Sequence, residues 1–166
     1  MRQELFGRER VDMARNLARV GCPWGEIQDI TRYGGADLAL AVYSVSTPGH
    51  GGFYVGAGLY GTMPDCLKAC AFPGGAGGQW FEEDCSWCAV ALAFPELFTP
   101  LELGFAIRTC RGWYPEAWSA YAQLGEALSS GPAHQVLSIE AEAVALAEAR
   151  IAERQAPARV DLAAEG

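Results

Sequence analysis

The sequence predicts an α+β fold: a small antiparallel sheet over about residues 24–55, packed against several helices and followed by a long C-terminal helix. Three observations predict it. Apolar residues recur at helical spacing before residue 20 and again after residue 64, while the stretch between holds short β-forming runs broken by glycine and proline. A chain of 166 residues, 51% hydrophobic and 19% charged, is long enough for one core and too short for two comfortable ones. Residues 1–156 therefore read as one domain, with a helix over 3–20, the sheet over 24–55 and a helical part over 64–156. Residues 157–166 read as a flexible tail.

The first helix rests on Phe6, Met13, Leu17 and Val20, which share one face while Arg8, Arg15 and Arg19 lie largely elsewhere. Gly21 and Pro23 end it. Residues 24–31 mix polar and apolar side chains as a strand does, and 33–37 supply a turn, so a hairpin is expected. The apolar run 38–45 makes the second strand. Residues 53–55 make the third, after a turn over 48–52. A short helix is expected over 64–70 and a loop over the glycine-rich 73–78.

Helical periodicity then returns. Phe81, Cys85, Cys88 or Ala89, and Leu92 define one face, with Trp87, Val90 and Phe94 on a second, until Pro95 stops the helix. Thr99-Pro100-Leu101-Glu102 has the form of a capping box opening a helix to about residue 110. Pro115 opens another, expected to carry Trp118, Tyr121, Leu124 and Leu128 inward, and residues 129–132 close it. The last helix, 134–155, repeats Leu137, Val144 and Ile151 every seven residues beside Ala141 and Ala147. That stripe suits packing on the chain's own domain or a homodimer through residues 134–155.

Charge narrows the partners. The formal net charge is −8, and residues 21–104 hold nine acids against Arg32 and Lys68. Such a surface repels phosphates and attracts basic proteins, including those that hold nucleic acid, so direct nucleic-acid binding is not expected. No apolar run approaches the roughly 18 residues that span a bilayer. The first ten residues carry charge where a signal peptide needs its apolar core, and a cytoplasmic protein without membrane contact is expected.

Two segments hold the densest chemistry: residues 46–55, with His50 among glycines, and residues 78–87, with Glu82, Glu83 and Asp84. His50 with one of these acids can act as a general base if the loop between them folds back. Each half also has a structural account, a glycine turn for His50 and a helix-dipole-matched first turn for the acids. Neither a phosphate loop nor a serine elbow accompanies them. Cys66, Cys70, Cys85 and Cys88 can offer four thiolates to zinc, but both pairs read as helical and as ordinary buried cysteines, so no cofactor is expected. A redox role for Cys85 and Cys88 is opposed by the carboxylates beside them, which raise a thiol's pKa. Of the five tryptophans, Trp113, with Tyr114, stands in a glycine-led turn suited to a binding anchor.

The pattern Pro23-Trp24-Gly25, Thr47-Pro48-Gly49-His50-Gly51-Gly52, Trp80-Phe81-Glu82-Glu83-Asp84-Cys85-Ser86-Trp87 and Phe94-Pro95-Glu96 resembles an uncharacterised bacterial family found on plasmids, integrative elements and phages. The resemblance covers about residues 22–98. It implies a mobile-element context and no established activity. The expectation is an anti-defence protein, of anti-CRISPR or antirestriction type. It would cover a basic surface of a nucleic-acid-handling host complex with Glu82, Glu83, Asp84, Glu96 and Glu102, aided by Trp113 and Tyr114. The competing expectations are a hydrolase or transferase using His50, and a structural or regulatory dimer.

Overall fold

The computed structural model describes residues 2–35, 37–73 and 77–155. Five antiparallel strands lie in chain order: β1 (Arg2–Glu4), β2 (Asp29–Gly34), β3 (Ala41–Ser46), β4 (Gly51–Gly56) and β5 (Gly78–Glu82). Around them run α1 (Gly7–Arg19), α2 (Ala57–Thr62), α3 (Asp65–Lys68), α4 (Trp87–Ala93), α5 (Pro100–Trp113), α6 (Pro115–Ala127) and α7 (Pro132–Gln155). The α+β class is as the sequence predicts. The sheet, however, is wider than residues 24–55 at both edges.

The alternation of strand side chains sends two apolar sets to opposite faces. Tyr33, Val42, Val55 and Phe81 enter the larger core, under α4 to α7. Ile30, Tyr43, Tyr54 and Trp80 enter a second core with Leu5 and Leu17, covered by α1 and the residues before β2. Register makes these rows continuous: Tyr43 opposes Tyr54, and Tyr54 opposes Trp80. Buried aromatic and β-branched pairs of this kind are what hold neighbouring strands together.

Four expectations about boundaries are corrected. The helix expected over 3–20 begins only at Gly7, whose φ of +53° turns the chain out of β1. Residues 2–4 extend because Arg2 stacks on Tyr33, 4.6 Å from its ring centre, and Gln3 accepts from Arg32. Phe6 accordingly lies outside the helix, 69% exposed, instead of on its buried face. The strand expected over 24–31 starts at Asp29, because Gly25, at φ +100°, breaks the extended run and Trp24 folds over the sheet. Beyond it, the expected strand 38–45 opens with a 3₁₀ turn, Leu38–Leu40, before β3.

The fourth correction changes the site. The helix expected to start at about Phe81 is β5 through Glu82, then a turn over 83–86, then α4. Trp80 and Phe81 are adjacent and both fully buried, which a strand between two cores permits and a one-sided helix does not. Glu82, Glu83 and Asp84 thus precede the helix rather than occupy its first turn.

The helical layer is built on α4, whose residues from Cys88 to Ala93 are all buried. Thr99 caps α5 with the full reciprocal capping box. On α6, Tyr121 is buried and its hydroxyl donates to the Leu92 carbonyl, whereas Leu124 and Leu128, expected inward, remain exposed. On α7 the buried stripe is Ala133, Val136, Ala143 and Ala147, not the Leu137, Val144 and Ile151 seam. Small residues win because α5 approaches closely: a Cβ at Gly104 would stand 1.9 Å from the Ala143 carbonyl oxygen. The expected tail, 157–166, lies outside the described residues.

Candidate functional site

One end of the sheet gathers the segments that the sequence singles out. The β3–β4 turn is closed on itself: Thr47 N–H donates to the His50 carbonyl at 2.8 Å, its hydroxyl to the same oxygen at 2.7 Å, and His50 N–H to that hydroxyl at 3.2 Å. Pro48, Gly49 and His50 are thereby held at an exposed tip. Beside it, β5 pairs with β4, Gly52 opposing Glu82, and the Glu83 N–H donates to the Gly51 carbonyl at 3.2 Å. The fold-back required to bring the acids to the histidine segment is therefore strand pairing.

Two glycines make that approach possible. A Cβ on Gly51 would meet a Glu83 carboxylate oxygen at 2.4 Å, and one on Gly52 would meet the Trp24 ring at 2.3 Å. Trp24 in turn sits edge-on to Trp80, with 5.5 Å between ring centres. The Pro-Trp-Gly, His-Gly-Gly and Trp-Phe-Glu-Glu segments are thus one packed unit. Among the described contacts, the His50 side chain makes no hydrogen bond to Glu82, Glu83 or Asp84.

The acids have different fates. The Glu82 carboxylate turns back into its own loop, accepting from the Cys85 N–H at 3.1 Å and the Cys85 thiol at 3.2 Å. Burial alone would raise its pKa, but these hydrogen bonds hold the carboxyl below its ordinary value. Ser86 completes the turn, its hydroxyl accepting from the Glu82 N–H at 2.6 Å. Glu83 and Asp84, between these anchors, are exposed.

From the other side, the Tyr114 hydroxyl donates to the Cys85 sulfur at 3.3 Å. Tyr114, Cys85 and Glu82 form a relay joining the α5–α6 corner to the acidic turn. Burial first, and Glu82 next, push the Cys85 thiol up, so it is a neutral link and a poor nucleophile. Sequence reasoning missed this relay, although Glu82-x-x-Cys85 is its local signature. Next to Tyr114, Trp113 is 69% exposed at the rim of a cavity of about 510 Å³.

Glu96 and Glu102 do not join this face. Glu102 caps α5 through Thr99 and pairs at 2.6 Å with Arg2 on β1, the opposite edge of the sheet from β5. Four strand spacings of about 4.8 Å separate those edges. Glu96 lines the same Arg2 and Glu102 neighbourhood. The expected five-acid surface is therefore two separate places: Glu102 is paired with Arg2, whereas Glu83 and Asp84 have no ion-pair partner among the described residues.

The four cysteines proposed for zinc do not assemble a site. Among the described residues, no group of three or more His, Cys, Asp or Glu is arranged to hold a metal ion. The neighbouring Cys110 thiol and burial together push the Cys88 thiol far up. Burial, with other thiols close by, pushes Cys70 up to about 12. Among the described residues no helix is long and apolar enough to cross a membrane.

A family model described as a domain of unknown function (DUF7007) matches residues 18–145, which extends past the resemblance over 22–98 into α7. No curated protein and no solved structure matches the chain.

Proposed function

We propose a binding role for this chain, which belongs to the DUF7007 family of unknown function: the Glu83–Asp84 turn docks on a Lys/Arg surface of a protein partner. One observation carries the reading. The turn presents two exposed carboxylates, held in place from both sides by the Gly51 carbonyl and the Glu82–Cys85 bonds, with no cation in ion-pair reach among the described residues. Elsewhere cations are consumed internally: Arg2, Arg10, Arg32, Arg108 and Arg111 all face acids of other elements. A pre-ordered, uncompensated acidic turn loses little side-chain and loop freedom on docking and steers a basic partner toward it.

The partner class that fits is a basic, nucleic-acid-handling complex. Masking its phosphate-binding surface would block it by exclusion, as expected of an anti-defence protein carried on a mobile element. The charge of the chain and the resemblance of its motifs support this finer reading. Its test is Glu83→Lys with Asp84→Lys, measured against complexes captured from the native host and identified by mass spectrometry. Affinity for the captured complex should fall on the order of tenfold or more at about 0.1 M salt, and the dependence on salt should flatten. Unchanged affinity and salt slope would remove the acidic turn from the interface.

The alternative, catalysis by His50 with Glu82, Glu83 or Asp84, draws on their adjacency across β4 and β5. Glu82 is already committed to Cys85, which leaves Glu83 and Asp84 as its possible partners. Loss of cellular activity in His50→Ala, with folding and partner binding intact, would select that reading instead.

A further inference from the structure

We infer that the cavity at the α5–α6 corner receives a cationic side chain of a partner peptide, arginine above all, with Trp113 as its aromatic plate and Glu116 as its counter-ion. The inference deepens the binding role and rests on it only for the partner being a basic protein. Its own basis is the cavity's chemistry.

The cavity, about 510 Å³, lies between α3 and the corner where α5 gives way to α6, walled by Cys66, Cys70, Trp113, Tyr114 and Glu116. That volume falls within the range of sites that bury a ligand group. The C-terminal end of α5 and the N-terminal end of α6 meet here, so their opposite dipole ends largely offset one another. Charge is then set by side chains. Cys66 and Cys70 are both pushed up by burial, so the inner wall is neutral and polarizable at physiological pH. Glu116 is left as the formal charge of the lining.

Trp113 points to what fits. A tryptophan 69% exposed at a helix end leaves a large aromatic surface in water unless something covers it. Beside a carboxylate and above an apolar wall, an indole suits a cation on an apolar stem. Arginine is favoured over lysine because a planar, weakly hydrated guanidinium stacks on an aromatic face and pairs with a carboxylate in the same plane. The same corner already contains such a pair: Arg111 lies over the Trp118 ring, 4.7 Å from its centre, while bonded to Glu140. Arg111 is thus spent and does not fill the cavity. An anionic ligand is opposed by Glu116 and by the chain's net charge of −8. The Tyr114–Cys85–Glu82 relay joins this wall to the acidic turn, so one basic segment can engage both.

The test uses the full ¹⁵N-labelled chain titrated with an end-blocked octapeptide of alternating serine and arginine, and with its lysine and citrulline counterparts. The readouts are the Trp113 indole N–H resonance, identified by its loss in Trp113→Phe, and the dissociation constant from isothermal titration calorimetry, which every variant retains. The arginine peptide should shift that resonance to saturation, bind more tightly than the lysine peptide, and outbind the citrulline peptide at least tenfold. Trp113→Ala and Glu116→Gln, both at exposed positions, should each weaken binding about fivefold. Glu83→Gln with Asp84→Asn should leave the Trp113 shift in place. The inference is overturned if Trp113 does not respond, if citrulline binds as well, or if Trp113→Ala and Glu116→Gln leave affinity unchanged. Should only the Glu83 and Asp84 changes weaken the peptide, the acidic turn stands and the cavity falls; should neither pair matter, both fall.

Discussion

At Gly52 a single hydrogen in place of a side chain lets Trp24 lie on the sheet, because a Cβ there would stand 2.3 Å from the indole and 2.4 Å from the Phe81 carbonyl oxygen. The His-Gly-Gly motif was visible in the sequence as a turn. Its reason was not, since it lies in a tryptophan 28 positions away that no local pattern reports. Glu102 shows the reverse case: its capping role was legible from Thr99-Pro100-Leu101-Glu102, because a cap is decided within four residues. Its pairing with Arg2 was not. Burial would raise the Glu102 carboxyl, but the Thr99 N–H and the Arg2 guanidinium more than reverse this and hold it below its ordinary value. A depressed folded-state pKa contributes stability that is complete above the unfolded value, about 4.3, and is lost as pH falls through the lower folded value. Glu102→Gln keeps a capping side chain and removes the charge. Urea midpoints measured from pH 3 to 7 should show it less stable than the parent above pH 5, with a shallower loss below about pH 4.3; parallel curves would mean that the charge contributes nothing.

Elements were legible where one face decides them and illegible where two do. The α5 helix, with its cap and one buried face, starts where its sequence pattern places it, but runs on to Trp113 through the glycine-led turn expected after about residue 110. Residues 81–94 satisfy a helical spacing equally well on paper, yet Trp80 and Phe81 belong to opposite cores and pull the first part into β5. That override moved Glu82, Glu83 and Asp84 from a helix start to a turn, and with it changed what they can do. The long helix was recognised but rotated: a heptad of large residues suggested the seam, while the close crossing selects Ala143 and Ala147 opposite Gly104. Val144 and Ile139 still pack against the same core from the flank, so part of the seam expected for a second copy is already used. Gly104→Ala tests the crossing. The added methyl meets backbone on α7 rather than a movable side chain, so the two helices must separate, at about 2–3 kcal/mol. Equilibrium urea unfolding measures it, and a cost within about 0.5 kcal/mol, as at an open surface site, would show that the helices do not cross so closely.

For the whole molecule, the decisive fact is that one sheet serves two cores. The helical layer rests on Val42, Val55 and Phe81, and the smaller core rests on Tyr43, Tyr54 and Trp80, their immediate neighbours along the same strands. Neither face can lose its packing without loosening backbone that the other requires. The prediction is a single cooperative transition, which the length of the chain also favours. Leu17, fully buried on α1 in the smaller core, makes the coupling measurable. Leu17→Ala should cost about 2–4 kcal/mol by opening a cavity under the sheet. With 5-fluorotryptophan in the chain, the ¹⁹F signals of Trp80, in the smaller core, and Trp118, against the larger one, should melt together in urea in both parent and variant, their midpoints falling by the same amount. If Trp80 melts first while Trp118 holds its native signal, the sheet does not transmit the loss and the two faces are separate folding units. Cooperative unfolding bears on the site as well: the Glu83–Asp84 turn follows Trp80 and Phe81, one anchored in each core, so its geometry is as firm as the fold itself.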